Sequence, residues 1–491
     1  MATYEKHFDS ALRAAYEAAE RYIANLDGRP VAPTESLEAL RSRLAKPLAI
    51  EGLAPEEVIA DLVRDVEGGI MGSASGRFFG WVIGGTLPAA MAADWLTAAW
   101  DQNATLYACG PAASIAEEVV GTWLKQLLGL PNRASFALVN GCQLGHVTCL
   151  AAARNRLLQE AGWNVECNGL WGAPRLRILA GRQRHGSIDR AARLLGIGYG
   201  NIYDLDTDDR GRMRPEALLK ALEKERRFRA IVVLQAGEIN TGACDPFRDL
   251  IPIAKRYDAW VHVDGAFGLW AAASARQRHL VAGMREADSW VTDGHKWLNV
   301  PFDCAYAFIA QAEVHRAAMS HRASYLVHSD DARDAIDWNP DWSRRARSFP
   351  TYAALRQLGR SGVAELIDRS CQHAHDLVTR IGRLPGAVVL SEAILNQGLV
   401  RFLDPTVDAS ERDHGRWTDE VIRAIAKTGE AFFSGSDWMG RRAMRVSVCN
   451  WRTTGQDVER AAIAVERVLN EMNRARGDSL RASGLLVPSD T

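Results

Sequence analysis

The sequence predicts an α/β fold: a doubly wound, mostly parallel sheet with a helical N-terminal arm and an α+β C-terminal domain. Three observations carry this. Between 133 and 310, short apolar runs alternate with amphipathic segments of helix length, as parallel strands joined by crossover helices do. Two runs end abruptly in polar residues, Trp-Val-His-Val-Asp-Gly-Ala-Phe-Gly at 260–268 and Asp-Ser-Trp-Val-Thr-Asp-Gly-His-Lys-Trp at 288–297. A buried parallel strand that delivers side chains to the carboxyl edge of a sheet reads this way. Before 66 the spacing is helical, and after 351 strand-like runs mix with helices.

In chain order, Ala11, Leu12, Ala15, Tyr16, Ala19 and Tyr22 recur at helical spacing, and Pro30, Pro33 and Pro47 punctuate the segment after them. Such an arm packs on its own domain or on a partner subunit, and the sequence leaves both open. Phe78-Phe79-Gly80-Trp81 and the Gly84-Gly85 pair precede a helix from Pro111 to about Leu130, and the aromatic cluster reads as core more readily than as pocket wall. Strands are expected at 135–140, 176–180, 230–235, 259–263, 288–292 and 304–310, and helices at 144–160, 187–195, 215–225 and 247–257. Residues 311–350 are polar and irregular, which suits a functional loop or a disordered one. A helix from Thr351 to Leu358 opens the last region. There, apolar runs at 387–391, 398–403 and 443–448 alternate with helices at 417–427 and 456–473, and the tail after Arg474 is expected to fray. The expected division is a helical segment over 1–100, a large α/β domain over 101–350, a small α+β domain over 351–475 and a tail over 476–491.

Composition narrows the function class. A chain of 491 residues exceeds one simple core, and 47% hydrophobic with 24% charged residues is ordinary for a globular protein. A net charge of −1 points to neither a nucleic acid nor an anionic membrane as partner. No apolar run reaches spanning length, and Met-Ala-Thr-Tyr-Glu-Lys lacks the order of a signal peptide. The 8 cysteines form no Cys-x-x-Cys pair, so neither a metal site nor a disulfide framework is indicated and a reducing cytoplasmic compartment is the expectation.

Chemistry concentrates where strands end. Asp264 closes one strand, and His295 and Lys296 follow another. A carboxylate and a lysine on nearby strand ends suit pyridoxal 5′-phosphate (PLP): lysine takes the aldehyde, and the carboxylate pairs with the pyridine nitrogen. Burial is expected to depress the pKa of Lys296, favouring the neutral amine. Asn140-Gly141-Cys142-Gln143-Leu144-Gly145 follows a strand and opens a helix, which makes it either a phosphate cradle or a tight structural turn. His185 is expected at a strand end, with Ser187 capping the next helix. Its flat ring could stack on a flat cofactor, or it could be a surface loop histidine.

Taken together and in order, these features resemble the group II PLP-dependent amino-acid decarboxylases, fold-type I enzymes that include aromatic-amino-acid, histidine and glutamate decarboxylases. The resemblance runs from about Phe78 through Thr454. It rests on His-Val-Asp-x-Ala at 262–266, His-Lys-Trp at 295–297 and Asp-Cys at 303–304. It implies that Lys296 binds the cofactor covalently, Asp264 meets the ring nitrogen and Ala266 lies against the ring. It implies that His185 stacks on the other face and sits near the scissile carboxylate. His295 and Gly141, Cys142 and Gln143 would hold the phosphate, with Thr241 near the ring. Ala-Ser-Tyr-Leu-Val-His at 323–328 looks like the family's mobile catalytic loop. The resemblance gives Tyr325 the task of protonating Cα in the neighbouring site of a homodimer.

The chain departs from the family at Cys142 and Gln143, where small hydroxyl residues are usual, at Asp293, where Asn is common, and at Glu238. Asp293 is expected to point away from the phosphate, leaving Thr292 to make that contact. Glu238 either grips a polar substrate group or bonds the local backbone. Decarboxylation of an L-amino acid to the amine and CO2 is the expected reaction. The alternatives are oxidative deamination, aldol-type cleavage or transamination on the same cofactor, and more remotely a non-enzymatic PLP-binding regulator. Arg445 does not discriminate among these. Phe78, Phe79, Trp81 and Trp95 favour an aromatic or large apolar substrate, and Arg77 is the one obvious basic residue in that region.

Overall fold

The structure is a computed structural model and describes residues 8–482 except 225, 227 and 322–331. Its centre is a seven-stranded sheet. In chain order the strands are β2 (Ser135–Val139), β3 (Leu176–Gly181), β4 (Ile202–Leu205), β5 (Arg229–Gln235), β6 (Trp260–Asp264), β7 (Ser289–Asp293) and β8 (Ala305–Ile309). They lie in the order β2-β8-β7-β6-β5-β3-β4. Pairing is parallel from β7 through β4, and β8 runs antiparallel to both neighbours. The near-continuous apolar runs are explained by burial on both faces: one apolar layer includes Val232, Val261, Trp290 and Tyr306, and the other Ile231, Val233, Val291 and Ala307. The helix Cys142–Glu160 covers the second face and buries Cys149, Ala152 and Leu157 there.

Strand β4 falls outside the sequence expectation. It pairs only with β3, is incompletely buried, and its Ile-Tyr-Asp-Leu has no apolar run to announce it. The C-terminal sheet holds two more surprises. It runs β1-β11-β12-β10-β9, with β1 at Phe78–Phe79, β9 at Ala387–Ile394, β10 at Gln397–Phe402, β11 at Phe432–Trp438 and β12 at Arg441–Ser447. β11 is Phe-Phe-Ser-Gly-Ser-Asp-Trp, too polar to read as a strand. β1 comes from the N-terminal region, and Phe78 and Phe79 pair and stack on Phe432 and Phe433.

Arg77 holds that junction together. Its buried guanidinium donates to the carbonyls of Leu26, Asp27, Arg29, Gly429 and Glu430. Every one of these is an internal carbonyl, so Arg77 is a structural tie between arm and C-terminal sheet, not a basic group in a substrate pocket. Two helical expectations are also corrected. The helix from Thr351 belongs to an element spanning Ser348–Gly382, interrupted at Gly359, whose φ of 60° lets the chain resume. The last helix continues to Ala482, well past Arg474.

The N-terminal region forms helices at Phe8–Ala24, Leu37–Leu44 and Pro55–Val66. The first has a strongly one-sided apolar face, yet none of its residues is buried, and Phe8, Leu12 and Tyr16 are exposed. Among the described residues, no helix is long and apolar enough to cross a membrane.

Candidate active site

Strand alternation puts one set of side chains on one face of the sheet. His262 and Asp264 on β6, and Val291 and Asp293 on β7, all point towards the helix Cys142–Glu160. The contacts of His262 with His146 and of Asp293 with Cys142 show it. At the carboxyl edge of that face stand the two aspartates, and the turn after β7 adds His295 and Lys296. A cavity of about 630 Å³ lined by Arg175, Arg177, Arg226, Arg229 and Arg256 lies at the opposite, amino-terminal edge and shares no residue with this cluster.

Asp264 is only 6% exposed. One carboxylate oxygen accepts from the Ala266 N–H at 3.2 Å, and the other is 3.7 Å from His146 Nε2. That nitrogen is buried and has no hydrogen-bond partner among the described residues. Asp293 is placed quite differently from expectation. One of its oxygens accepts from the Cys142 N–H at 2.8 Å and the other meets Lys296 Nζ at 3.0 Å, with His295 Nε2 at 3.7 Å. The carboxylate therefore points into the first turn of the helix. The free N–H groups and positive dipole end there attract any anion, including the chain's own. Thr292, one residue away, faces the other side of the sheet, where its buried hydroxyl points at the Ala266 carbonyl at 3.5 Å. It cannot make the phosphate contact expected of it.

The charges follow this geometry. Burial alone would lower the Lys296 pKa, but Asp293 overcomes it and holds the ammonium above the ordinary lysine value. The expected neutral amine is thus overturned: burial is the largest single influence, but Asp293, with Cys142 and Asp264 adding to it, outweighs it. Burial likewise works to raise Asp293, and Lys296 and His295 win and lower it. His295 is lowered by burial, and its Nδ1 accepts from the Cys304 N–H at 3.3 Å. Burial first, then Asp293, pushes the Cys142 thiol well up.

The remaining residues divide into those brought to the site and those kept from it. A Cβ on Gly141 would meet only His295 Cε1, at 3.8 Å, so the turn is open beside the His295 ring. Gln143 donates to the Ser187 carbonyl at 3.3 Å and so links this turn to the loop that carries His185. β3 ends at Gly181, so His185 does not end a strand. It caps the helix Gly186–Leu194 itself, with Nδ1 accepting from the Ser187 N–H at 3.2 Å, and its ring is exposed. The Thr241 hydroxyl, fully buried, is committed to the Arg210 carbonyl at 2.9 Å and to Glu238. Glu238 accepts from the N–H groups of Asn240 and Thr241, both at 2.8 Å, so it braces its own loop and is not a substrate grip. Tyr325 lies outside the described residues.

Asn299 and Gly84 are not among the residues the sequence singles out for the site, yet they place the lysine turn. The Asn299 side chain accepts from the N–H of Gly85 at 2.7 Å and of Trp451 at 2.9 Å, and donates to the carbonyls of Trp297 and Cys449. It joins three parts of the chain behind Lys296. Gly84 passes so close that a Cβ would sit 2.0 Å from the Lys296 carbonyl. The Gly84-Gly85 pair is the one sequence signal for this contact.

These residues fit PLP. A buried lysine stands at the sheet edge that also carries Asp264, a carboxylate with an oxygen short of partners, and a glycine turn at a helix N-terminus lies beside a histidine. The model of the pyridoxal-dependent decarboxylase conserved domain matches residues 38–402. The chain belongs to this family. It is a PLP-dependent decarboxylase with the fold-type I architecture expected of it. The decarboxylase is 25% identical to an aromatic-L-amino-acid decarboxylase of Bacillus atrophaeus, over 92% of this chain and 93% of that one. It is also 25% identical to a 4-hydroxyphenylacetaldehyde synthase of Rhodiola rosea, over 86% of each. Its fold matches the crystal structure of Oryza sativa TDC with PLP and tryptamine at a TM-score of 0.88 and 23% identity, covering 94% of this chain and 98% of that one.

In the decarboxylase, the aromatic cluster turns out largely structural. Phe78 and Phe79 are core, and Trp95 packs edge-on against Tyr16 while remaining 44% exposed. Trp81 packs against Phe78 and Phe432 and remains 45% exposed.

Proposed function

We propose that this decarboxylase acts on an L-amino acid, with an aromatic or large apolar side chain favoured, and releases the amine and CO2. The observation that carries the reading is the gathering at one sheet edge of Asp264, beside His146, with Lys296 and the helix N-terminus at Cys142, both of which Asp293 holds. The preference for an aromatic side chain is supported by the relative from Bacillus atrophaeus and by the half-exposed ring of Trp81.

When bound, PLP supplies an electron sink for the bond broken at Cα. Lys296 would hold the cofactor aldehyde and would take up and return a proton at Nζ. Asp264 would hold the ring nitrogen and its proton. Gly141, Cys142, Gln143 and His295 would bind the phosphate through backbone N–H groups and the imidazole, in place of Asp293 at the Cys142 N–H. Ala266 and His185 would hold the ring. Tyr325 delivers the proton to Cα and, with its loop closed, excludes water. The Tyr325 loop serves the neighbouring site of a homodimer. The unburied apolar face of the helix Phe8–Ala24 supports such a partner. The 8 free cysteines suit a reducing cytoplasm.

The test is a single-turnover measurement with a panel of L-amino acids, following CO2, amine, aldehyde and ammonia. CO2 with an equal amount of amine from an aromatic substrate is the expected result. The relative from Rhodiola rosea makes aldehyde the specific rival. Aldehyde with ammonia would replace the proposed outcome with oxidative deamination, and turnover of acidic amino acids alone would overturn the substrate preference.

A further inference from the structure

Behind Asp264 runs a file of buried polar groups that the proposed reaction does not use. Trp260 Nε1 is 2.9 Å from Ser289 Oγ, and Ser289 Oγ is 2.9 Å from His262 Nδ1. His262 Nε2 is 3.0 Å from His146 Nδ1, and His146 Nε2 is 3.7 Å from Asp264 Oδ2. His146, His262 and Ser289 are completely buried, so no water competes for these bonds. His262 and Asp264 sit two apart on β6 and share a face, and the helix Cys142–Glu160 lays His146 across both.

We propose that His262 and His146 are positioning residues for the decarboxylase, forming a one-way relay of N–H donors that ends on Asp264 and holds it for the cofactor ring nitrogen. The proposal rests on the reading of Asp264 as the partner of that nitrogen.

Both ends of the file set its direction. An indole N–H can only donate, so Ser289 Oγ accepts from Trp260 and keeps its own hydrogen to give to His262 Nδ1. An ionised carboxylate can only accept, so the last group before Asp264 must present an N–H. A neutral imidazole has one donor and one acceptor, and burial lowers the pKa of both histidines, keeping the rings neutral. One arrangement satisfies both ends: the proton is on Nε2 of His262 and on Nε2 of His146. The opposite arrangement would aim a lone pair of His146 at the Asp264 carboxylate in a site that excludes water. The 3.7 Å spacing is longer than a hydrogen bond. His146 therefore steadies Asp264 through the dipole of its Nε2–H without using up the oxygen that the ring nitrogen needs.

The sequence of this chain makes the relay specific. His262 belongs to the His-Val-Asp motif, whereas His146 lies four residues into a helix and has no local signal. Among the described residues, nothing else accepts a hydrogen bond from His146 Nε2.

Isotope-edited solid-state NMR of the histidine ring nitrogens tests the proposal directly on the wild-type apoprotein and holoenzyme. His146→Gln and His262→Gln difference spectra assign the signals. The expected result is a proton on Nε2 and a bare Nδ1 in both rings. A proton on Nδ1 of either ring would overturn the relay. A second measurement uses cofactor labelled at the ring nitrogen. His146→Leu is expected to move that resonance away from the protonated form and to raise the cofactor dissociation constant about tenfold. His146→Gln, which returns an N–H to the same place, is expected to restore both. Equal behaviour of the Leu and Gln variants would reduce His146 to packing. Asp264→Asn separates the two readings. If it leaves the cofactor nitrogen unmoved, the assignment of Asp264 fails, whatever the histidines show. If it moves that nitrogen and His146→Leu does not, the relay alone fails.

Discussion

Asp264 and Asp293 end neighbouring parallel strands and point to the same face of one sheet, yet their surroundings treat them oppositely. Asp264 has one backbone N–H and a histidine held at 3.7 Å, and its second oxygen is left for a guest. Asp293 is consumed by its hosts: the Cys142 N–H takes one oxygen and Lys296 the other. The difference comes from what each strand end faces. β6 ends opposite imidazole rings that are already committed to one another. β7 ends opposite a helix N-terminus and just before a histidine and a lysine. A buried carboxylate takes every donor within reach, so the one with fewer donors is the one available to a ligand.

This contrast can be broken or sharpened by substitution. The largest effect is expected from Lys296→Ala, which removes the group both carboxylates serve. Turnover should fall about a thousandfold or more, and the visible absorption of the lysine-bound cofactor should vanish. A normal absorption spectrum in that variant would show that the lysine is misassigned. Asp264→Asn should leave the cofactor attached yet lower kcat about a hundredfold, because the group lost is a preorganised charge at the reacting system. Parallel measurement of the absorption band and of kcat checks this, and loss of both together would erase the distinction between the two aspartates.

Asp293→Asn should act in the opposite sense. Capture of the aldehyde needs the neutral amine, and Asp293 holds the Lys296 pKa up, so the capture rate of wild-type apoprotein should climb as pH rises towards that raised value. Replacing the carboxylate lowers the lysine pKa and clears the Cys142 N–H, so at neutral pH cofactor capture should be about tenfold faster. Stopped-flow absorbance across pH measures it. Stability should change in step. The raised Lys296 pKa contributes stability present below the ordinary lysine pKa and lost as pH rises through the folded value. The lowered Asp293 pKa contributes stability present above the ordinary aspartate pKa and lost as pH falls through the folded value. Thermal unfolding of apo Asp293→Asn should therefore show less loss at both extremes than wild type.

The smallest effect is expected from Cys142→Ser. The buried thiol stays protonated, since burial and then Asp293 raise its pKa, and its backbone N–H makes the 2.8 Å bond to Asp293. A change in stability of about 1 kcal/mol or less and unaltered cofactor capture would confirm that backbone, not side chain, makes the contact at this turn.

Much of this architecture is legible from the chain alone. Asp264, His295 and Lys296 announce themselves because a polar residue directly after a buried apolar run can only be there for a purpose. The parallel strands β3, β5, β6 and β7 announce themselves by the same runs. β4 and β11 do not, being half-polar elements ordered by their neighbours. The direction of Asp293 is misleading in the sequence because its identity suggests repulsion from a phosphate, whereas its neighbours offer a helix N-terminus and a lysine. The resemblance suggests Thr241 near the cofactor and leaves Glu238 open as a substrate grip, and the structure turns both into their own loop.

By itself the sequence determined the α/β alternation and the chemistry at two strand ends, because these depend on residues close together along the chain. Tertiary structure alone decided which groups meet. His146 reaches Asp264 across 118 positions, Arg77 ties carbonyls from both ends of the chain, and Asn299 joins three segments behind the lysine. Contacts of that kind leave no local pattern. They arise when burial removes water and each polar group must find its partner from whatever the packing brings within 3 to 4 Å.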